Sequence, residues 1–207
     1  MTLTVLQEQI RACRRCEEAG YIPEARPLTR GEAGAPYMVI GQAPSRTDHE
    51  SGGFYVGPAG RKLRGWLAEA GFPEEEFGKR VYFAAITKCF PGRLPGSSKD
   101  RLPGRAEQAL CRPWLDAELE TVRPRVLILF GGLAIATFLS RQPLAELIGR
   151  TFERDDRIIV PLPHSSGAST WLNAPENRTL LAQALERLRE VRAEVEAETR
   201  NAREWAK

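Results

Sequence analysis

Residues 36–60 read Pro36-Tyr37-Met38-Val39-Ile40-Gly41-Gln42-Ala43-Pro44-Ser45-Arg46-Thr47-Asp48-His49-Glu50-Ser51-Gly52-Gly53-Phe54-Tyr55-Val56-Gly57-Pro58-Ala59-Gly60. The apolar run passes straight into a Gly/Pro-rich loop, and then into the helical pattern of residues 61–70. That order marks a buried strand feeding a loop and a helix. In an α/β sheet the carboxyl end of such a strand is where ligands bind. Pro58 stands just ahead of the helical pattern, whose first N–H groups then remain free for an anion.

The rest of the chain repeats the alternation. Leu3, Val5, Leu6, Ile10 and Cys13 predict an amphipathic helix ending near Gly20, and residues 21–35 form a Pro/Gly/Arg-rich connector. Strands are expected at 81–87, 125–130 and 158–162. Helices are expected at 106–122, from Gly132 to Leu139, and from about Pro175 onward. Strands alternating with helices predict a mainly parallel, four-stranded sheet sandwiched between helical layers.

With 207 residues and 42% apolar composition, the chain has the size of one α/β domain with an ample core. That domain is expected over residues 1–188, with 189–207 as the exposed end of the last helix. No apolar run approaches the ~20 residues that span a bilayer. Glu8 and Arg11 interrupt the N-terminal apolar pattern, unlike a signal peptide. A cytoplasmic, monomeric protein without a membrane partner is expected. The net charge of +3 permits a nucleic-acid partner without demanding one.

Four cysteines in such a chain point to metal rather than disulfides. Cys13 and Cys16 form a C-x-x-C pair, while Cys89 and Cys111 flank a long Gly/Pro-rich loop. Four thiolates suit tetrahedral zinc or an iron–sulfur cluster. A second C-x-x-C knuckle is absent, and the wide spacing of single ligands favours the larger cluster.

His164 follows the strand at 158–162 in Pro163-His164-Ser165-Ser166-Gly167, so it should face the same crevice as Gln42. Between Cys89 and Cys111 lie Arg93, Lys99, Arg101 and Arg105. A glycine-loosened basic loop beside a crevice is suited to phosphate-backbone contact.

Taken together these residues resemble the uracil-DNA glycosylase superfamily, most closely its iron–sulfur branch, family 4. The family's Gly-Glu-Ala-Pro-Gly and Pro-Phe-Val-Gly-x-Ala-Gly segments resemble residues 41–45 and 54–60 at the same separation. Its Lys-Cys-Arg-Pro segment is similar to Lys88-Cys89-Phe90-Pro91, and its Ala-Cys-x-Pro-x-Leu segment to residues 110–115. Its histidine motif corresponds to His164. The resemblance covers residues 1 to about 188. It implies a three-layer αβα fold, a 4Fe-4S cluster on Cys13, Cys16, Cys89 and Cys111, and a DNA substrate whose damaged base is flipped out.

On this resemblance Gly41, Gln42, Ala43, Tyr55, Ala85 and His164 contact the base. Tyr55 stands where the family has a stacking phenylalanine, and backbone N–H groups at Gln42 and Ala43 face a base carbonyl. His164 would steady the negative charge on the departing base, as an oxyanion hole does. Three positions depart from the pattern. Gln42 replaces a water-orienting glutamate, for which Asp48, His49 or Glu50 are the nearby substitutes. Ala85 replaces a base-reading asparagine, and Ser165 a proline. Two functions follow as expectations: a glycosylase that removes uracil or another deaminated base, with His164 and Gln42 catalytic, or an iron–sulfur DNA-binding protein of the same fold with weak or no hydrolysis.

Overall fold

The computed structural model describes residues 1–165 and 170–205, with side chains described through residue 201. Five strands form one sheet: β1 (Tyr37–Gly41), β2 (Val81–Ala85), β3 (Val126–Phe130), β4 (Phe152–Arg154) and β5 (Arg157–Leu162). Their order is β2-β1-β3-β5-β4. The first four in that order are parallel, and β1, β2 and β3 are buried along their whole length. This is the parallel sheet the alternation predicts, and near-continuous apolar strands are what burial on both faces requires.

The sheet has one strand more than the alternation predicts. β4 pairs antiparallel with β5 at the sheet's edge, through a turn in which Asp155 and Asp156 take φ of 51° and 59°. Aspartate tolerates the left-handed conformation such a hairpin needs, but Asp-Asp carries none of the glycine signal by which hairpins are read.

Eight α-helices are described: α1 (Leu3–Ala12), α2 (Arg15–Glu18), α3 (Arg46–Ser51), α4 (Pro58–Glu69), α5 (Arg105–Val122), α6 (Gly132–Phe138), α7 (Leu144–Leu147) and α8 (Pro175–Trp205). Neighbouring residues along a strand serve opposite faces. Tyr82 reaches Glu118 of α5 on one face. Tyr37, on the other, packs against Phe72 and donates to the carbonyl of Arg192 in α8. The expected N-terminal helix is broken between α1 and α2, with Cys13 capping the first and Cys16 inside the second. In α8, Ala184, Leu185, Leu188, Val191 and Val195 are buried, so packing continues past residue 188. No described helix is long and apolar enough to cross a membrane.

Chain reversals at β1 set the site. β1 lies between β2 and β3, so the connections leaving it and arriving at β3 diverge and open a crevice at their carboxyl ends. Gly41, Phe130 and the segment after Leu162 meet there.

Candidate active site and cysteine pocket

β1 ends at Gly41 and the chain folds back through α3. Ser45 caps that helix, and Asp48 closes a reciprocal box by accepting from the Ser45 N–H at 2.9 Å and its hydroxyl at 2.6 Å. The other Asp48 oxygen accepts from the Val56 N–H at 2.8 Å. Its carboxylate thus holds the loop while also lining the cavity described below. His49 sits 3.5 Å from Glu24 and packs near Phe90, while Glu50 is paired with Arg46.

That anchoring fixes Tyr55 in a left-handed backbone conformation with φ of 56°, which a bulky side chain rarely adopts. Gly60 is obligatory behind it: a Cβ there would lie 2.2 Å from the Tyr55 carbonyl oxygen. The Tyr55 ring packs on Phe83 at 5.3 Å and edge-on to Phe130 at 5.9 Å. Its hydroxyl covers Gly41, where an added Cβ would be only 2.3 Å away.

A cavity of about 900 Å³ opens over this floor, lined by Gln42, Ala43, Tyr55, Phe130, His164 and Ser165 among others. Gln42, Ala43, Tyr55 and His164 are therefore brought together as expected. Gly41 and Ala85 do not line the cavity but lie beneath Tyr55. They are partners in the β1–β2 register, and Ala85 is 1% exposed. Phe130, whose apolar strand marks it only as core, belongs to the wall; its signal is its place as the last strand residue before Gly131-Gly132.

His164 stacks on Phe130, with centroids 4.9 Å apart. Burial depresses its pKa below the usual histidine value, so the ring is neutral at pH 7. Ser165 secures this segment by donating to the Ala59 carbonyl at 2.6 Å, in the first turn of α4. Ser166 and Gly167 of the same motif lie outside the described residues. Gln42 extends its amide toward the Arg101 carbonyl at 3.5 Å.

The four basic residues of the loop divide. Arg93 and Lys99 are exposed and line the cavity, and Arg105 is exposed at the start of α5. Arg101 is not free for phosphate: it makes two hydrogen bonds to Glu107, at 2.7 and 2.8 Å, and a third to the Tyr21 carbonyl. Burial raises the Glu107 pKa, but the Arg101 hydrogen bonds and the Gly104 N–H hold it below the usual value. Two cations unread in the sequence, Arg46 and Lys62, also line the cavity.

The cysteines converge elsewhere. Cys13, Cys16, Cys89 and Cys111 line one pocket together with Thr87, Lys88 and Trp114, and all four are free thiols. The Lys88 N–H donates to Cys111 Sγ and the Trp114 indole N–H to Cys13 Sγ, each at 3.2 Å. The Thr87 hydroxyl, in the same wall, is buried without a hydrogen-bond partner. Burial, followed by the neighbouring thiols, pushes Cys16 up to about 11 and Cys89 to about 12. A bound cation would reverse that order and hold them as thiolates. Among the described residues, no group of three His, Cys, Asp or Glu could hold a single metal ion.

Residues 28–189 match the sequence model of the Uracil DNA glycosylase superfamily. A type-4 uracil-DNA glycosylase of Pyrobaculum aerophilum is 30% identical over 154 residues, 74% of this chain and 70% of that protein. One from Archaeoglobus fulgidus is 29% identical over 64% of this chain and 61% of its own length. The counterpart in Sulfurisphaera tokodaii is 23% identical, but over 92% of this chain and 84% of its own.

Proposed function

Because the chain belongs to the uracil-DNA glycosylase superfamily, we propose that it hydrolyses the N-glycosidic bond of uracil or another deaminated base in DNA. The observation that carries this reading is the cavity where Gln42, Tyr55, Phe130 and His164 meet under a rim of cations. A base inside a duplex cannot be reached, so it must be extruded into such a pocket. Arg93, Lys99, Arg105 and Lys62 then hold the flanking phosphates, which supply most of the affinity. Bond cleavage leaves positive charge on the deoxyribose and negative charge on the base. Neutral His164 donates a hydrogen bond to the base oxygen as that charge grows, in a site where water does not screen it. Gln42 and the adjoining backbone bind the base from the other side.

The donor set of the cysteine pocket suits a 4Fe-4S cluster. Four thiols surround one space, two N–H groups already point at sulfur, and the buried Thr87 hydroxyl lacks a partner there. When bound, the cluster would cross-link α1, α2, the end of β2 and α5 through metal–thiolate bonds. Cys89 and Cys111, so joined, would hold the ends of the 91–104 loop, and with them Arg93 and Lys99, beside the cavity.

The testing experiment incubates the protein with oligonucleotides carrying uracil, hypoxanthine or xanthine, followed by alkali. Strand nicking at the modified base supports hydrolysis. A second reading, a DNA-binding protein of this fold without hydrolysis, is favoured by one observation: position 42 carries an amide, and the Asp48 carboxylate already accepts three hydrogen bonds that hold the loop. Absence of nicking on all three substrates, with DNA binding retained, would select it.

A further inference from the structure

Tyr55, which lines the cavity, covers an apolar patch of the sheet beneath it. Phe83, Ala85 and Gly41 share one face of the sheet, since Gly41 pairs with Ala85 and Phe83 lies two residues earlier on β2. None of them offers a polar side-chain atom. Over them lies the Tyr55 ring, its hydroxyl 2.3 Å from where a Gly41 Cβ would be. Adjacent strands are about 4.8 Å apart, so that hydroxyl stands within one strand spacing of the Ala85 methyl and on the same face. Tyr55 is only 9% exposed, yet among the described residues its hydroxyl has no hydrogen-bond partner. The hydroxyl keeps accessible surface and so opens on the cavity that Tyr55 lines, held there by a φ of 56° that is strained for a tyrosine. A ligand in the cavity can therefore supply the hydroxyl's partner. Burial, with the Asp48 charge second, raises the phenol pKa, which keeps it a neutral donor.

Resting on the glycosylase reading, we infer that the Tyr55 hydroxyl reads the edge of the extruded base, in place of a side chain at position 85, and that the substrate class is deaminated bases as a group. Tyr55 and His164 both contact Phe130, at 5.9 and 4.9 Å, so a base in the cavity beside that ring has both polar groups near it. A phenol contributes a single rotatable O–H with two acceptor lone pairs, whereas an amide presents donor and acceptor on separate atoms. One rotatable donor serves the carbonyl of uracil and that of an oxopurine equally. It enforces no two-point pattern, so rejection of normal bases falls on the cost of extrusion, which is lowest for a mispaired base.

Four proteins test this: wild type, Tyr55→Phe, Ala85→Asn and the double variant. Each is measured for base release from oligonucleotides with uracil or hypoxanthine, mispaired and paired, and for equilibrium binding to modified and unmodified oligonucleotides. Melting temperature is measured alongside. The inference expects wild type to act on both bases within about tenfold and faster in mispairs. Tyr55→Phe drops by about tenfold or more on both bases, the scale of one hydrogen bond. Ala85→Asn alone is less stable and gains nothing, because the hydroxyl occupies the amide's place. The double variant recovers stability and turns toward uracil. If wild type releases no base, the glycosylase reading fails. The inference then stands if preferential binding to modified DNA is present and disappears in Tyr55→Phe. Tyr55→Phe matching wild type in both release and binding preference overturns it, as does wild type showing neither release nor preference.

Discussion

Phe130 and His164 stack with ring centroids 4.9 Å apart and planes 27° from parallel. The last residue of β3 thus sets the tilt of the imidazole, and Ser165, the next residue after it, is tied to α4. His164→Ala should lower base release by about 10² to 10³, the usual cost of one donor to a developing anion. DNA affinity should hold, since phosphates supply most of it. Anisotropy titrations run beside single-turnover kinetics check the split, and a parallel fall in affinity would make the residue structural.

The same burial sets a pH dependence. The folded pKa of His164 lies below the ordinary 6.5, so the unfolded chain takes up a proton that the folded one resists. Stability is therefore full above the unfolded value and is lost as pH falls from there through the folded value. Urea denaturation at a series of pH values should show His164→Ala flattening part of the acid limb. NMR of the ring should give its midpoint below about 6.5.

Anaerobically purified protein should be brown and contain iron and sulfide, because the four thiols share one pocket. Cys111→Ser should bleach it and loosen α1 and α2, read as faster amide exchange there. Colourless protein with stoichiometric zinc is the contrary result.

The parallel sheet and the cysteine set are legible in the sequence because both leave strong local marks: apolar strand runs, and thiols with few other uses. His164 is legible from its place after a strand. Tyr55, by contrast, reads locally as no more than a stacking face. Nothing local says that Gly41 and Ala85 are register partners, so nothing local can say that a hydroxyl covers them. Arg101 is opaque for a similar reason. Four cations in one loop look alike until Glu107, six residues on, takes one of them.

The loop cations should separate by function. Removing the charges of Arg93, Lys99 and Arg105 should weaken binding alike on modified and unmodified DNA. It should also reduce the salt slope by about 0.9 for each phosphate no longer neutralised. Arg101→Ala should instead lower the melting temperature, since it strands Glu107, which is 5% exposed. An unchanged salt slope in the triple variant would move the DNA face elsewhere.

Beneath the cysteine pocket, Lys88 and Glu118 form an ion pair whose side chains are 1% and 0% exposed. Glu118 also accepts from the Tyr82 and Thr29 hydroxyls, each at 2.9 Å, and Lys88 donates to the Ala85 carbonyl at 2.8 Å. All partners lie in low dielectric, so removing one charge leaves the other buried and uncompensated, at a cost of about 3 to 5 kcal/mol. Lys88→Met and Glu118→Gln should each be strongly destabilising in urea. The double variant should recover much of the stability, because the amide of glutamine can still serve the two hydroxyls and no charge remains. Additive effects would mean that each residue acts through its own neighbours rather than through the pair. Lys88 joins the end of β2 to α5 directly before Cys89, so the single variants should also lose the brown colour more readily on exposure to air.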